Sequence, residues 1–230
     1  MHTSSVYSLP KLLNGQYMLT SVLRETADTV VYAAAQKDLR REVAVESLRP
    51  ECMSNPGKVQ AFLETVRAQA RMGGKFVATV LELLYAEDTW HIARERIQGS
   101  PVDELLAAGE KGCSATLCEL MLGLIRNCIK HDILGVDTAP FTIQNAHFMG
   151  LSFRFDNLAR SGPRAENATS RDICNAAREL LPIVDEASSR ADDLLLIFHN
   201  ILRVSSWQVL TPLDVHEEFV RLQFLLTRSE

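Results

Sequence analysis

Hydrophobic and polar residues alternate along residues 15 to 97, in short runs that polar turns separate. A two-residue period of this kind is typical of strands with one buried face. The runs read QYMLTSVL, DTVVYAAA, REVAVESL, FVATVLELLYAE and TWHIARERI. One stretch, GKVQAFLETVRAQARM, departs from this period, because Phe62, Val66 and Ala70 fall on one helical face after a break at residues 55–57. The pattern predicts a small sheet with one helix inserted in it.

After Gly99 the hydrophobic spacing becomes that of helices. Helices are predicted over residues 115 to 130 and 171 to 184. Their apolar stripes are formed by Leu117, Leu120, Met121, Leu124, Ile125 and Cys128 in the first helix, and by Ile173, Ala177, Leu180, Leu181 and Val184 in the second. Between them, residues 131 to 160 have the composition of short strands and loops, and residues 161 to 170 that of a polar loop. The second half of the chain is therefore predicted to be mainly helical.

Two more helices close the chain. One is predicted from about residue 192 to 205. The other begins at TPLD, where Thr211 can cap the helix, Pro212 occupies its first position and Asp214 interacts favourably with the helix dipole.

Length, composition and charge narrow the class of protein. With 230 residues, 47% hydrophobic and 23% charged, the chain suits one large domain or two small lobes. A net charge of −5 without any basic run argues against nucleic acid as a partner. The five cysteines are scattered and form no C-x-x-C pair, which indicates neither a disulfide framework nor a zinc site. We therefore expect a cytoplasmic protein without a signal peptide, a membrane span or a metal site.

The order of these segments resembles the protein kinase fold, most closely the bacterial serine/threonine kinases of the eukaryotic type. GQYMLTSVL resembles the first strand, VVYAA the second, LRREVAVESLRPE the third and AFLETVRAQARM the αC helix. WHIARERIQGSPVDELL resembles the fifth strand, the hinge and the next helix. DTAPFTI is similar to the catalytic loop, LAR at 158–160 to the end of the metal-binding motif, and RDICNAARELL to the start of the αF helix.

The resemblance implies an α+β, bilobal fold in which a small antiparallel sheet lobe with one helix is followed by a helical lobe. Residues 1–14 are then an N-terminal extension, residues 15–97 a kinase-like N-lobe and residues 98–230 a reduced kinase-like C-lobe.

The resemblance also implies that the phosphate-binding parts of the N-lobe are altered. Arg24, Thr26 and Thr29 fall at the three positions of the glycine loop, where side chains prevent the close backbone approach to phosphate that glycine permits. Glu46 falls at the position of the third-strand lysine, and Thr65 at that of the αC glutamate. Exchanging a cation for an anion changes attraction for phosphate into repulsion.

The catalytic loop and the metal-binding motif are altered as well. Of the H-R-D triplet only Asp137 is retained, and the asparagine that follows it becomes Thr142. The D-F-G triplet aligns with Phe155-Asp156-Asn157, so that Asp156 reaches the metal-ligand position only after a slip of one residue. Asp137 is equally suited to capping its own loop. The resemblance implies for Asp172 a structural role, in which it anchors the catalytic loop.

These substitutions lead us to expect a catalytically inactive pseudokinase, which is not an enzyme and holds no cofactor. It would act as a binding, scaffolding or regulatory module for a protein partner, with an active kinase as one candidate. The first alternative is a divergent nucleotide-binding protein or weak serine/threonine phosphotransferase that uses Asp137 and Asp156. The second is a structural component of a larger assembly.

Glu46 and Arg94 raise a further expectation. The resemblance places Arg94 just before the hinge, on the fifth strand, and Glu46 on the third, with both side chains directed into the nucleotide pocket. A buried carboxylate is costly unless a cation holds it, so Glu46 is expected to pair with Arg94, or failing that with Arg24, and to fill the pocket. The alternative is that both side chains point into solvent.

Overall fold

The structure is a computed structural model of the 230-residue chain. It describes residues 7–72, 77–108, 111–134, 136–138, 146–148, 153–156, 159–163, 168–203 and 211–228. The chain divides into two compact units. Unit 1 contains residues 1–74 and 78–96, and unit 2 contains residues 75–77 and 97–230.

Unit 1 is an antiparallel sheet with one long helix. Its strands are β1 (Lys11–Leu13), β2 (Tyr17–Glu25), β3 (Thr29–Gln36), β4 (Arg41–Leu48), β5 (Val80–Ala86) and β6 (Thr89–Glu95), and its helix is α1 (Pro56–Met72). The strands lie in the order β1-β2-β3-β4-β6-β5. A short 3-10 helix, Pro50–Ser54, precedes α1. The strands and the single helix predicted from the alternating pattern are present, and the sheet begins at Lys11, four residues before the predicted start.

The two faces of this sheet bury different sets of apolar residues. The face that packs against α1 forms a cluster of Leu48, Cys52, Phe62, Val66 and Ile92. The opposite face forms a larger cluster that includes Tyr17, Leu19, Tyr32, Val43, Val45 and Ala93. Because side chains alternate across a strand, each face takes every second residue of β4 and β6.

A buried polar pair lies within the sheet, on the face opposite α1. Ser47 and His91 are cross-strand partners, and Ser47 Oγ lies 2.7 Å from His91 Nδ1. His91 Nε2 lies 3.0 Å from the carbonyl oxygen of Ala86, which can only accept, so Nε2 donates and Nδ1 accepts from the hydroxyl. Burial lowers the pKa of His91. The imidazole is therefore held in one neutral tautomer.

Unit 2 is mainly helical. Its helices are α2 (Val102–Ala107), α3 (Ser114–Leu134), α4 (Ala168–Leu180), α5 (Ala191–Arg203) and α6 (Pro212–Thr227). Its short strands are β7 (Ser100–Pro101), β8 (Val136–Thr138), β9 (Ala146–Phe148), β10 (Phe153–Phe155) and β11 (Ala159–Pro163), arranged as the sheets β10-β9-β7 and β11-β8. Among the described residues, each helix is either too short or too polar to span a lipid bilayer.

The helix stripes predicted from the sequence form the core of unit 2. All six predicted stripe residues of α3 are buried, and α6 begins with the predicted cap, in which the Thr211 side chain and the Asp214 side chain each accept a hydrogen bond from the other residue's backbone N–H. These predictions are confirmed.

Two predicted boundaries around α4 were wrong. The predicted helix over 171–184 runs instead from Ala168 to Leu180 and continues as a 3-10 turn, because Pro182 cannot be accommodated inside an α-helix. The predicted polar loop over 161–170 includes the end of β11 and the first turn of α4. In both places the sequence analysis did not detect where backbone hydrogen bonding of the helix or strand begins or ends.

Candidate active site

The register of β4 and β6 places Glu46 and Arg94 on one face of the sheet. Ala44 is directly opposite Arg94, and Glu46 is directly opposite Ile92. Residues two apart on one strand share a face, so Glu46 and Arg94 are diagonal neighbours within reach of long side chains. Ile92 belongs to the cluster that packs against α1. The carboxylate and the guanidinium therefore lie on the α1 side of the sheet.

Glu46 and Arg94 form an ion pair. Arg94 Nη1 lies 3.3 Å from Glu46 Oε2, and the two side chains are 1% and 15% exposed. Although the distance is short, the direction does not satisfy a hydrogen bond, and within the described part of the chain Nε and Nη1 of Arg94 have no hydrogen-bond acceptor. The contact is thus a Coulombic attraction in a buried place, without the two parallel hydrogen bonds of a bidentate pair.

Glu46 also lines a cavity of about 460 Å³ between the sheet and the N-terminal half of α1. Thr65, on α1, lines the same cavity, and Leu48 and Phe62 supply apolar wall. The two positions that the resemblance assigns to the lysine and the αC glutamate are therefore brought together. Since Thr65 carries no charge, the cavity lacks the ion pair that those two positions would hold in a kinase.

The rim of this cavity holds charges that were not singled out from the sequence. Lys58 Nζ donates to Asp28 Oδ1 at 2.6 Å, and this contact lowers the pKa of Asp28 and raises that of Lys58. Asn55 Oδ1 accepts from the backbone N–H groups of Gly57 and Lys58 at the start of α1. The break at residues 55–57 was the only sequence signal for this rim, since it positions Lys58 in the first turn.

Arg24, the alternative partner proposed for Glu46, lies on β2 opposite Val31 and is partly buried. Val31 is in turn opposite Glu46 on β4. The structure pairs Glu46 with Arg94 rather than with Arg24.

In unit 2, Asp156 follows the buried Phe155 at the end of β10. His147, on β9, places Nε2 3.1 Å from Asp156 Oδ2. On the adjacent strands β9 and β10, Arg154 is directly opposite His147. Asp156, two residues after Arg154, is therefore a diagonal neighbour of His147. His147 was not singled out from the sequence, which contains no spacing that would relate it to Asp156.

The remaining predicted site residues are described to different extents. Asp137 lies in β8, where the structure describes the backbone but not its side chain. Thr142 lies outside the described residues, as do the neighbouring residues of the predicted catalytic loop. Asp172 is buried in α4, with Oδ1 3.1 Å from Arg171 Nε. Its anchoring of the catalytic loop stays a prediction.

A protein kinase holds magnesium beside the phosphates of its nucleotide. Within the ranges that the structure describes, no group of three or more His, Cys, Asp or Glu side chains could hold a metal ion. Asp156 contributes one described carboxylate, and its Oδ2 already contacts His147. Magnesium is commonly held by one or two carboxylates together with substrate phosphates and water, so Asp156 is the described residue that would hold it beside a bound nucleotide.

Comparison with known proteins identifies the fold. No family model matches the chain. A probable serine/threonine-protein kinase of Clostridium perfringens is 27% identical over 114 residues, which are 50% of this chain and 16% of that protein. A probable serine/threonine-protein kinase of Streptomyces coelicolor is 27% identical over 121 residues, 51% of this chain and 18% of that protein. The chain thus matches less than a fifth of the length of these relatives.

Solved structures extend the likeness to nearly the whole chain. Two crystal structures of the Mycobacterium tuberculosis PknI kinase domain match with TM-scores of 0.67 and 0.63, at 12% and 13% identity. Each match covers 94% of this chain and 97% or 98% of the PknI chain. The chain therefore has an α+β, protein kinase-like fold, with a curled antiparallel sheet lobe and a helical part.

The expectation that the chain is not an enzyme is wrong. Both curated relatives are named as probable serine/threonine kinases, and the structural neighbours are kinase domains. The comparisons therefore point to an enzyme. The expectation rested on substitutions at single motif positions.

Proposed function

We propose that this chain is a divergent serine/threonine protein kinase domain with weak phosphotransferase activity and a regulatory role that it exerts through a protein partner. The kinase-like fold and the names of the curated relatives support the enzyme class. The weakness of the reaction and the regulatory role are inferred from the site.

The observation that carries this proposal is the position of Glu46 and Thr65 on one cavity. A kinase uses a lysine at the first position to hold phosphate and a glutamate at the second to hold the lysine. An unpaired anion at the first position would repel phosphate by about 1 kcal/mol per charge pair at 4 Å in water, and by about 4 kcal/mol at an effective dielectric constant of 20. The pairing of Glu46 with Arg94 offsets part of this repulsion, but it leaves a neutral pair where a kinase has a cation free to bind phosphate. Nucleotide binding is therefore weak.

Asp137 and Asp156 are the residues that we assign to the remaining chemistry. Asp137, as the aspartate retained from H-R-D, would accept the proton of the substrate hydroxyl. If the alignment with D-F-G is shifted by one residue, Asp156 takes the position of the metal-binding aspartate and would face the phosphates. Its contact with His147 holds the carboxylate in one orientation. Neither residue restores the missing cation, so the expected rate stays low.

The regulatory part of the proposal is supported by the short connection after β11. This strand ends at Pro163 and α4 begins at Ala168, so only residues 164–167 separate them. A kinase that recognises many protein substrates uses a longer segment, ending in A-P-E, at this place in the chain. We infer that the domain recognises one partner through other surfaces, rather than a range of substrate peptides.

The test is a thermal melt with ATP, with and without Mg²⁺ or Mn²⁺, combined with transfer of labelled phosphate. A ligand present at its dissociation constant stabilises a protein by about 0.4 kcal/mol, so we expect a small rise in melting temperature that requires the metal. The rise should be lost in Asp156→Asn, and label transfer should be lost in Asp137→Asn. A melting temperature that no nucleotide changes, together with no label transfer, contradicts the proposal.

A further inference from the structure

Helix α6 has two apolar faces. Val215, Phe219, Leu222 and Leu226 are buried in the core of unit 2. Leu213, Val220 and Phe224 are 61%, 40% and 52% exposed. With about 100° between successive helical residues, these three lie within about 20° of one line along the helix, on the side opposite the buried face. We call them the outer stripe of α6.

A straight outer stripe of this kind exceeds what core packing requires. Surface helices of globular proteins carry one apolar face and an opposite polar face. Scattered single apolar residues are common on surfaces, but the spacing of seven and four residues in Leu213, Val220 and Phe224 is that of a helix–helix seam.

Among the side chains of α6 itself, charges lie along only one edge of the outer stripe, while Arg126 of α3 contacts His216 at the other edge. Glu217 and Arg221, both exposed, flank it on one side, while His216, Gln223 and Thr227 flank it on the other. Within the portion of the chain that the structure describes, Glu217 and Arg221 take part in no ion pair. Burial and the nearby Arg126 lower the pKa of His216, which favours its neutral form. The charged edge is therefore the one that can select a partner.

This arrangement matches a second copy of the same helix in the antiparallel direction. When a twofold axis relates two antiparallel helices, like edges face each other, so that Glu217 of each copy meets Arg221 of the other. A parallel pair would instead set Glu217 and Arg221 against the edge formed by His216, Gln223 and Thr227. We propose that the outer stripe of α6 is a homodimer interface, in which Leu213, Val220 and Phe224 pack against the same residues of a second chain and Glu217 pairs reciprocally with Arg221.

The dimer should be weak, because one pair of helices falls at the low end of specific interface sizes, below about 1,200 Å². Sedimentation velocity of the full chain from about 1 to about 300 µM tests it, since mass action makes association depend on protein concentration. We expect the mean mass to rise from that of a monomer towards that of a dimer. Val220→Glu, at the centre of the stripe, should keep the protein monomeric over the whole range.

Leu39→Glu is the matched control, because Leu39 is as exposed as Leu213 but lies in unit 1. This variant should dimerise like the parent chain. All the positions changed are exposed, and circular dichroism melts check that each variant is folded.

The pairing of charges is tested by reversal. Glu217→Arg and Arg221→Glu should each weaken dimerisation at least tenfold at low salt, because like charges then meet across the interface. The double variant, which carries both changes, should recover the parent affinity. A parent chain that is monomeric at every concentration overturns the proposal and leaves the outer stripe to a different partner. A dimer that survives Val220→Glu, or single-variant losses that the double variant does not recover, also overturns it.

Discussion

Arg94 and Glu46 are diagonal neighbours on adjacent antiparallel strands, and the guanidinium nitrogen Nη1 lies 3.3 Å from the carboxylate oxygen Oε2. The arginine is fully buried, while the glutamate has access to the cavity beside α1. In a kinase the position of Glu46 holds the lysine that binds phosphate. Here an acid at that position neutralises a cation on the neighbouring strand instead.

Replacing Arg94 should strongly destabilise unit 1. Arg94→Ala leaves Glu46 as an uncompensated charge in a mostly buried place, which costs about 3 to 5 kcal/mol of unfolding free energy. Urea unfolding followed by tryptophan fluorescence measures this, with Trp207→Phe in all variants so that Trp90 of β6 is the reporter.

Arg96 supplies the matched control for that measurement. Its Nη1 lies 3.4 Å from Glu42 Oε1, in an Arg–Glu pair that is largely exposed. Arg96→Ala should therefore cost at most about 1 kcal/mol. Equal losses from the two variants would show that burial of the Glu46–Arg94 pair has no energetic effect.

Removing both charges should cost far less than removing one. Apolar residues of similar size in place of a buried ion pair are often neutral or stabilising. We expect Glu46→Leu combined with Arg94→Met to unfold within about 1 kcal/mol of the parent chain, or above it. The coupling is read from the four members of the double-mutant cycle. Strictly additive losses would mean that the two side chains do not interact.

Restoring the lysine alone should not restore nucleotide binding. Glu46→Lys places an ammonium beside the buried guanidinium of Arg94, and the repulsion of like charges is about 4 kcal/mol at 4 Å with an effective dielectric constant of 20. We expect this variant to melt at a lower temperature and to transfer no more labelled phosphate than the parent chain.

The combination Glu46→Lys, Arg94→Met and Thr65→Glu should behave differently. It removes the competing cation and gives the lysine a partner across the cavity that residues 46 and 65 share. We expect a larger rise in melting temperature with MgATP than in the parent chain. A larger rise in Glu46→Lys by itself would refute the role given to Arg94.

The pH dependence of stability should include a contribution from His91. Burial lowers its pKa in the folded state, so the unfolded chain binds more protons below a pH of about 6.5. This contribution is present above the unfolded pKa and is lost as the pH falls through the folded one. We expect the unfolding free energy to decrease between pH 7 and pH 5, and to decrease less in His91→Gln.

Two variants separate the titration of His91 from the titration of His216 and from the loss of the Ser47 hydrogen bond. The pKa of His216 is lowered as well, so the comparison is made in a His216→Gln background. Ser47→Ala removes the hydroxyl that donates to His91 but not the titrating group. This variant should lower the unfolding free energy at every pH and leave its slope against pH unchanged. If the slope of unfolding free energy against pH is unchanged in His91→Gln, His91 is not the source of the pH dependence.

Features set by neighbours in the chain could be predicted from the sequence. The stripe of α3 and the Thr211 cap of α6 depend on residues three or four positions apart, so the sequence carries them directly. The end of α4 before Pro182 was equally local and was nevertheless missed. The likeness to a kinase rested on the order of such local segments.

The sequence by itself determined the alternation of strands and helices, and the residue types that stand at the positions of the kinase motifs. Only the tertiary structure decided which of those residues meet. Four features depend on it: the contact of Glu46 with Arg94, the cavity that Glu46 shares with Thr65, the Lys58–Asp28 pair at the rim of this cavity, and the contact of His147 with Asp156. Each of them joins residues from different segments of the fold. Strand register and helix packing set these contacts, and both depend on burying apolar surface from distant parts of the chain, which no local pattern records.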